Sequence, residues 1–476
     1  MDKIIYSSAK ALAQAIRTKE ISSEEVVEAY LQRIEEVNPK LNAIVHLQAN
    51  EAREQARKAD AALAQGDLKG PLHGVPITIK DNAETKGMIS TSGTKGRSSF
   101  VPDQDATIVA RMRAAGAIIL GKTNLPEFAL AFESDNLVYG RTLNPYDFSR
   151  TPGGSSGGEA AIIAAGGSPL GLGNDAAGSI RLPSHFCGIA GIKPTAGRVP
   201  LTGHFPPPFG YVVPLWQAGP MARFVEDLIL TLPIIAGVDW RDPAIIPMPL
   251  GDPDEVKLKN LRAAFYTDNG IMPPSPETIE VVRKTAQVLS DVGMVVTEDI
   301  PDGIEHSFEL MNDLIEADGG EDLEKLLESA GTKEMHPWTK AILEMSRAKT
   351  RSSAWFSGLM MRWDMFRSTM LSFMENYDVI ICPVCAYPAM HHGTSFEMFP
   401  AFSYTMTYNL TGWPAAVVRA GTSPEGLPIG VQVAARPWRD DVALAVAQYI
   451  EKVFGGWQPP PPVSYTHLTL PTIYSV

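Results

Sequence analysis

The residues Gly153-Gly154-Ser155-Ser156-Gly157-Gly158 lie in a part of the chain, residues 144–220, that is rich in glycine, serine and proline. With 40 glycines in 476 residues and serine at its usual share, this hexapeptide is expected by chance in about one of ten thousand chains. On its own, the run is also compatible with a flexible surface loop. A second glycine-rich stretch, residues 171–183, places another serine, Ser179, 24 residues after Ser155. Together the two stretches indicate loops that serve a function.

The segments on both sides of these loops alternate between helix and strand patterns. In residues 75–80, apolar residues alternate with Pro76, Thr78 and Lys80, which predicts a strand that ends at Lys80. Residues 106–115 have a helical pattern, and the apolar run 117–120 suits a buried parallel strand. The same reasoning predicts helices at 23–37, 49–65, 282–289 and 441–454 and strands at 377–383 and 430–433. This alternation indicates an α/β sheet.

The composition excludes several classes of protein. Apolar residues make up 45% and charged residues 20%, which is typical of a folded chain and not of a disordered or fibrous one. The net charge of −13 and the lack of a Lys/Arg run argue against a nucleic-acid partner. Residues 1–20 contain no apolar segment and no run of 18 apolar residues occurs, so neither a signal peptide nor a membrane span is predicted. Three cysteines, an odd number, fit a reducing compartment, and we expect a cytoplasmic protein.

The residues before Ser179 suit a nucleophilic serine. They are small, so they leave the hydroxyl open and allow backbone N–H groups to approach a substrate oxygen, as an oxyanion hole requires. Serine also needs a base to take its proton, yet the spacing of the nine histidines picks out no His/Asp arrangement. Lys80 offers another base, because a lysine at the buried end of a central strand can lose its proton at a cost of about 4–5 kcal/mol. Taken alone, a lysine in this position would be interpreted as a surface residue.

These features occur together in the amidase signature family, which residues 8–457 resemble. The resemblance rests on Val75-Pro76-Ile77-Thr78-Ile79-Lys80-Asp81-Asn82, Gly121-Lys122-Thr123-Asn124, Gly153 to Gly158, Gly178-Ser179-Ile180-Arg181-Leu182-Pro183, Gly188 to Pro194, Asn409-Leu410-Thr411-Gly412 and Gly426-Leu427-Pro428-Ile429-Gly430-Val431-Gln432. Together these segments are highly specific. The resemblance implies a single large three-layer α/β/α domain around a mixed, mostly parallel twisted sheet.

The resemblance implies a catalytic Ser–cis-Ser–Lys triad. Ser179 would attack the substrate carbonyl, Ser155 would relay the proton, and neutral Lys80 would accept it. Lys80 would then return the proton through Ser155 to the leaving amine, and water would hydrolyse the acyl-enzyme. Ser155 would follow a cis peptide bond. Neither a metal ion nor a cofactor is expected.

The same resemblance implies roles for the residues around Ser179. The backbone N–H groups of Ala176, Ala177 and Gly178 would face the oxyanion. The loop would be braced by Ser156, Asp175 and Arg181. The chain departs from the family at Ala177, where the family usually has glycine. If this position requires a positive φ, alanine is strained there or the loop is remodelled.

Two other motifs point to chemistry that we reject. Residues 116–123 match the nucleotide-binding pattern GxxxxGK[ST], but a true P-loop follows a strand, whereas here the intervening residues are themselves the predicted strand. Cys382 and Cys385 resemble a redox pair, yet they end an apolar strand and have no second ligand pair for zinc. We expect them to be packing residues.

Two functions share the predicted triad. The first is a stand-alone amidase that hydrolyses carbon–nitrogen bonds other than peptide bonds, and the second is a glutamine-hydrolysing amidotransferase subunit that works with a partner protein. Aromatic and proline residues that would line the site favour the first, with bulky or aromatic substrates; they are Phe205, Pro206, Pro207, Pro208, Phe209, Tyr211, Trp216, Trp355, Phe356 and Trp363. The alternative is that these are core residues. Carbamates and esters form the same tetrahedral oxyanion, so a urethanase activity also fits.

The expected partner is therefore a small-molecule amide or carbamate, and the oligomeric state stays open, with a homodimer among the alternatives. We expect one amidase signature domain over residues 1–462, in which the helical region 306–376 forms a cap over the substrate. Residues 463–476 have no placeable pattern and no counterpart in the family, so we expect an unstructured or artefactual tail.

Overall fold

The computed structural model describes residues 2–207, 210–348 and 351–461, and the predicted tail lies outside them. The strands are β1 Ile44–Leu47, β2 Pro76–Lys80, β3 Ile118–Thr123, β4 Leu170–Asp175, β5 Ala190–Lys193, β6 Gln217–Ala222, β7 Arg262–Phe265, β8 Val295–Glu298, β9 Val379–Pro383, β10 Ala415–Thr422 and β11 Pro428–Ala435. They form one sheet in the order β1-β3-β2-β4-β6-β5-β10-β11-β9-β7-β8.

Helices surround this sheet in the described part of the chain. They are α1 Asp2–Ile5, α2 Ala9–Arg17, α3 Ser23–Leu41, α4 Ala49–Ala64, α5 Thr107–Ala114, α6 Gly157–Ala164, α7 Arg181–Phe186, α8 Val225–Ile235, α9 Pro276–Asp291, α10 Ser307–Ile315, α11 Glu321–Ala330, α12 Pro337–Arg347, α13 Ser353–Phe373, α14 Ser403–Leu410 and α15 Asp440–Phe454. The predicted single α/β domain is confirmed.

The three-layer arrangement is visible in strand β9, whose side chains alternate between two cores. Val379 and Ile381 belong to the larger core cluster, which includes residues of α8 and α15. Ile380 and Cys382 belong to a second core cluster, which includes residues of α10, α13 and α14. Because successive side chains of a strand point to opposite faces, the sheet is covered by helices on both faces.

The sheet is mixed, as predicted, but the expectation of mostly parallel pairing is wrong. Among the described strands, four neighbouring pairs are parallel and six are antiparallel. A strand that is buried on both faces reads as a run of apolar or small residues whichever way its neighbours run. In addition, β4 has two glycines in six residues and β6 contains a glycine and a proline, so neither stands out as a strand.

Local sequence signals predicted the ends of helices and strands better than the sequence predicted the direction of strand pairing. The helix α3 begins at residue 23 as predicted, and Ser22 and Glu25 form a capping box at its start. Strand β2 ends at Lys80, also as predicted. In the predicted helical region, α11 ends at Gly331, which has a left-handed φ of 69°, and α12 begins at Pro337. In the described residues, no helix is both long enough and apolar enough to span a membrane.

Candidate active site

The candidate catalytic residues meet at the carboxyl ends of two neighbouring strands. Strands β2 and β4 are parallel neighbours, so Lys80 and Asp175, their last residues, lie at the same edge of the sheet. Ser155 lies just before α6, after a cis peptide bond from Gly154. Ser179 lies in the turn between β4 and α7 and is 7% exposed. Two crossovers that return to one edge therefore bring three distant residues together.

Lys80 is buried and makes two short contacts. Its Nζ lies 2.6 Å from Ser155 Oγ and 2.6 Å from Asn174 Oδ1. Burial lowers the pKa of Lys80 well below the ordinary value of 10.5, although the charges of Asp175 and Glu159 oppose this shift. A neutral amine in contact with Ser155 is able to take a proton from it.

Ser179 is held beside Ser155 through the backbone. The N–H of Ser156 donates to the Ser179 carbonyl at 3.1 Å, and Ser156 Oγ donates to the Asn174 carbonyl at 3.3 Å. Among the described residues, the Ser179 hydroxyl has no hydrogen-bond partner. The Ser179 backbone is thus held against the segment that carries Ser155, and its hydroxyl is not tied to another side chain of the described residues.

Asp175 and Arg181 form a fully buried ion pair that organises the turn before Ser179. Arg181 Nη2 lies 2.9 Å from Asp175 Oδ1, and the carboxylate also accepts the N–H groups of Gly178 at 2.8 Å and Ile180 at 3.1 Å. Burial raises the pKa of Asp175, but the adjacent Arg181 outweighs it and holds that pKa far below its usual range. Arg181 Nη1 also donates a hydrogen bond to Gln432 Oε1 at 2.6 Å, so this network links the turn to β11.

The oxyanion loop differs from the expected arrangement at one donor. The N–H of Gly178 is already donated to Asp175 Oδ1. Among the described residues, the N–H groups of Ala176, Ala177 and Ser179 have no acceptor. Sequence reasoning missed the Ser179 N–H, because the direction of each N–H depends on the turn geometry, which no residue pattern specifies.

The condition for strain at Ala177, a positive φ, is not met. Ala177 is not among the non-glycine residues with positive φ, whereas Gly178 has a φ of 125°. A Cβ on Gly178 would lie 2.3 Å from Thr405 Oγ1, and that hydroxyl donates to the Ala177 carbonyl at 2.7 Å. Glycine is therefore required at 178, where the sequence has it, and not at 177.

A buried acid whose charge influences Lys80 was missed by sequence reasoning. Glu159 in α6 accepts hydrogen bonds from Thr78 Oγ1 in β2 and from Thr123 Oγ1 in β3, the latter at 2.7 Å. Burial raises its pKa to about 7, against the two threonine bonds. The signal that the sequence offered for this buried acid was a glutamate within a helix of small residues.

The rejected nucleotide motif is indeed a strand. Its last residues form the end of β3, where Lys122 is buried and its Nζ donates to the Ala83 carbonyl and, at 2.9 Å, to Thr85 Oγ1. This lysine braces the turn that follows Lys80. Cys187, Cys382 and Cys385 are free and buried, and no group of three or more His, Cys, Asp or Glu residues suited to a metal ion occurs in the described ranges.

The aromatic residues proposed from sequence do not all lie together. Tyr211, Trp216, Trp355 and Phe356 are half-buried against the second core cluster, as is Ala177. Trp363 is a core residue whose Nε1–H donates to Leu410 O at 2.8 Å. Phe205 belongs to a separate cluster, and Pro208 and Phe209 lie outside the described residues.

Sequence reasoning missed a different set of rings near Ala177. Phe132 stacks on Phe402 with ring centroids 4.3 Å apart, and Phe399 packs on Phe132 at 5.5 Å. Thr405 Oγ1 lies within hydrogen-bonding distance of the carbonyls of Phe402 and Ala177. We call Phe132, Phe399 and Phe402 the aromatic cluster; it is connected to the loop that carries Ser179.

Comparison with known proteins gives the family of the chain. The amidase family model matches residues 25–444. The chain is 35% identical over 490 aligned residues to fatty-acid amide hydrolase 2-A of Danio rerio, covering 96% of this chain and 90% of that protein. It is 31% identical to a glutamyl-tRNA(Gln) amidotransferase subunit of Heliobacterium modesticaldum, covering 95% of this chain and 98% of that protein.

A solved structure of 6-aminohexanoate cyclic dimer hydrolase in complex with its substrate is also similar. Its TM-score is 0.85 at 28% identity, and the match covers 94% of this chain and 97% of that chain. The sequence match over most of the chain and the shared fold lead to the same assignment. The chain belongs to the amidase signature family and is a hydrolase of carbon–nitrogen bonds other than peptide bonds.

Proposed function

We propose that this amidase works through an acyl-enzyme on Ser179, with Ser155 as proton relay and neutral Lys80 as base. The observation that carries the proposal is the 2.6 Å contact between Lys80 Nζ and Ser155 Oγ in a buried site. A lysine with a lowered pKa beside a serine hydroxyl is the arrangement that serine activation needs when no histidine is available.

We propose the following steps for this arrangement. Ser179 Oγ attacks the substrate carbonyl carbon while its proton passes to Ser155 Oγ and the Ser155 proton passes to Lys80 Nζ. The oxyanion is stabilised by the free N–H groups of Ala176, Ala177 and Ser179. The ammonium then returns the proton through Ser155 to the leaving nitrogen, and the carbon–nitrogen bond breaks. Water attacks the acyl-enzyme by the same relay and releases the acid.

The loop around the nucleophile favours bulky or aromatic substrates. Ala177 is a half-buried neighbour of the second core cluster, and the aromatic cluster is tied to it through Thr405. Apolar and aromatic side chains next to a nucleophile favour an acyl or amine group that is itself apolar. Aryl carbamates and esters form the same oxyanion, so urethanase activity is part of the proposal.

The alternative is a glutamine-hydrolysing component of an amidotransferase. Both kinds of protein occur among the relatives, so membership of the family does not choose between them. The aromatic cluster favours the stand-alone hydrolase, because the side chain of glutamine ends in a polar amide that gains little from apolar neighbours.

We further propose that α10–α13, within residues 306–376 of a 1–462 domain, form a cap over the substrate. Trp355 and Phe356 of α13 are half-buried against the same core cluster as Ala177, and Tyr211 packs edge-on against Phe356 at 5.1 Å.

A cytoplasmic location is supported by the three free cysteines.

A hydrolysis screen of the purified chain alone tests this function. The panel comprises anilides, aliphatic amides, glutamine and aryl carbamates, with Ser179→Ala as the matched control. We expect anilides and aryl carbamates to be hydrolysed fastest, and Ser179→Ala to be inactive on all of them. Preferred hydrolysis of glutamine would favour the amidotransferase alternative, and a Ser179→Ala variant with full activity would refute the mechanism.

A further inference from the structure

We propose that Asn174 is a positioning residue for the base: its amide oxygen accepts one N–H of Lys80 and thereby turns the amine lone pair towards Ser155. The inference rests on the proposed role of Lys80 as base. It adds a residue that the resemblance did not indicate, and it concerns how the base is aimed.

The geometry follows from the valences of the three groups. A neutral lysine amine has two N–H bonds and one lone pair, and an amide oxygen only accepts. Nζ has two partners at hydrogen-bonding distance in the described part of the chain, Ser155 Oγ and Asn174 Oδ1, both at 2.6 Å. Because one N–H is donated to Asn174, the tetrahedral arrangement at Nζ leaves the lone pair free to accept the Ser155 proton.

The charge of the partner is as important as its position. Two carboxylates influence Lys80, but each is bound by other donors: Asp175 by Arg181 and Glu159 by threonine hydroxyls. Neither makes a direct contact with Nζ among the described residues. The atom that does touch Nζ belongs to a neutral amide, which orients the amine and favours the ammonium form less than a carboxylate would.

The amide of Asn174 is costly to keep at this position. It lies in β4, where asparagine is a poor strand former, and it is 3% exposed. Its Nδ2 is buried and has no hydrogen-bond partner within the described ranges. Buried amides are normally satisfied at both atoms. The contact of Oδ1 with Lys80 is the interaction that explains an amide here.

Two substitutions separate positioning from a purely structural role. Asn174→Asp places a carboxylate against Nζ, which favours the ammonium form, so the acid limb of kcat/KM should move to higher pH by about one unit or more. Asn174→Leu keeps the volume but removes the acceptor. It should lower kcat by about tenfold to a hundredfold, with the acid limb at the same or a lower pH.

The control is Asn82→Leu. Asn82 is also a buried asparagine close to the end of β2, and both polar atoms of its side chain lack a partner among the described residues. Unlike Asn174, Asn82 is not a hydrogen-bond partner of Lys80 Nζ in the described part of the chain. We expect its acid limb to coincide with that of the unsubstituted enzyme. Thermal unfolding of each variant verifies that it is folded.

The results discriminate between this inference and the proposed function. If the folded Asn174→Asp and Asn174→Leu enzymes both keep the wild-type acid limb and kcat, the inference is overturned while the triad stands. Should Asn174→Asp fail to fold, the kcat of Asn174→Leu decides alone. If Lys80→Ala keeps full activity, the proposed function itself fails, whatever the Asn174 variants do.

Discussion

At the scale of single residues, the proposed chemistry depends on what surrounds one amine. Lys80 is buried among neutral partners at Nζ, and the carboxylates nearby are bound to Arg181 and to threonines. Burial alone would favour the neutral form, and those bound carboxylates are the opposing influence. The balance leaves a base that can work without histidine.

This balance predicts the pH dependence of catalysis. Below its lowered pKa, Lys80 is an ammonium and cannot accept a proton, so kcat/KM should rise with pH and reach a plateau before the ordinary lysine value of 10.5. Lys80→Arg keeps a cation that does not deprotonate and should reduce kcat by about a hundredfold to ten-thousandfold. Lys95→Arg, at an exposed ion pair with Glu334, is the control with an unchanged profile. A rate that falls over the same pH range would contradict the role of Lys80.

The buried Asp175–Arg181 pair makes a prediction about stability. Both side chains are fully buried, so Arg181→Met leaves a carboxylate uncompensated and should lower the free energy of unfolding by about 3–5 kcal/mol. Denaturant titration at neutral pH measures the change. Lys58→Ala at the exposed pair with Glu54 should give no measurable change. Equal effects of the two substitutions would show that burial does not set the strength of the pair.

At the scale of elements, the turn between β4 and α7 decides where the nucleophile points. Asp175, the last residue of β4, accepts N–H groups from Gly178 and Ile180, and Thr405 of α14 holds the Ala177 carbonyl. Hydrogen bonds to the Asp175 carboxylate and from the Thr405 hydroxyl thus fix the turn. That arrangement leaves the remaining N–H groups available for an oxyanion.

Two single substitutions in this turn should differ in their effect on kcat. Gly178→Ala brings a Cβ against Thr405 and imposes a φ that alanine rarely adopts, so kcat should fall by about a hundredfold or more. Ala177→Gly introduces neither a new contact nor an unfavourable φ, and we expect its kcat to lie within about threefold of wild type. Steady-state kinetics on one anilide compares them directly. Better activity in Gly178→Ala than in Ala177→Gly would disprove this description of the turn.

At the scale of the whole molecule, buried acids at the packing of α8 and α15 make stability depend on pH. Glu451 Oε1 accepts the Val225 N–H at 2.9 Å, and burial raises the pKa of Glu451 to about 7. Asp227, which accepts the N–H groups of Ala9 and Lys10 at the start of α2, also has a pKa of about 7 because it is buried. Helices α2 and α15 are therefore joined to α8 through carboxyl groups whose raised pKa favours the protonated form.

The sign of this effect follows from the direction of the shifts. A carboxyl with a raised pKa contributes stability that is present below the unfolded pKa, near 4, and is lost as the pH rises through about 7. Glu451→Gln keeps an acceptor for Val225 but cannot ionise. Relative to wild type, it should gain about 2 kcal/mol of unfolding free energy between pH 5 and pH 8. A difference that is constant over this range would refute the assignment.

The sequence allowed much of this molecule to be predicted because several signals are local. The helix predicted from residue 23, the end of β2 at Lys80 and the apolar run that forms part of β3 each depend on a few neighbouring residues. Strand pairing was not predictable, because direction depends on contacts between distant segments. The engaged N–H of Gly178 and the acid Glu159 were missed for the same reason: turn geometry and contacts across the sheet decide them.

In the proposed mechanism the substrate acylates Ser179, and the mass of a trapped acyl-enzyme tests this most directly. The enzyme is mixed with an aryl carbamate, quenched in acid within seconds, and analysed as intact protein and as peptides. We predict an added mass equal to the acyl group on the peptide that contains Ser179, and none in Ser179→Ala. Acylation at another residue, or full hydrolysis by Ser179→Ala, would contradict the account.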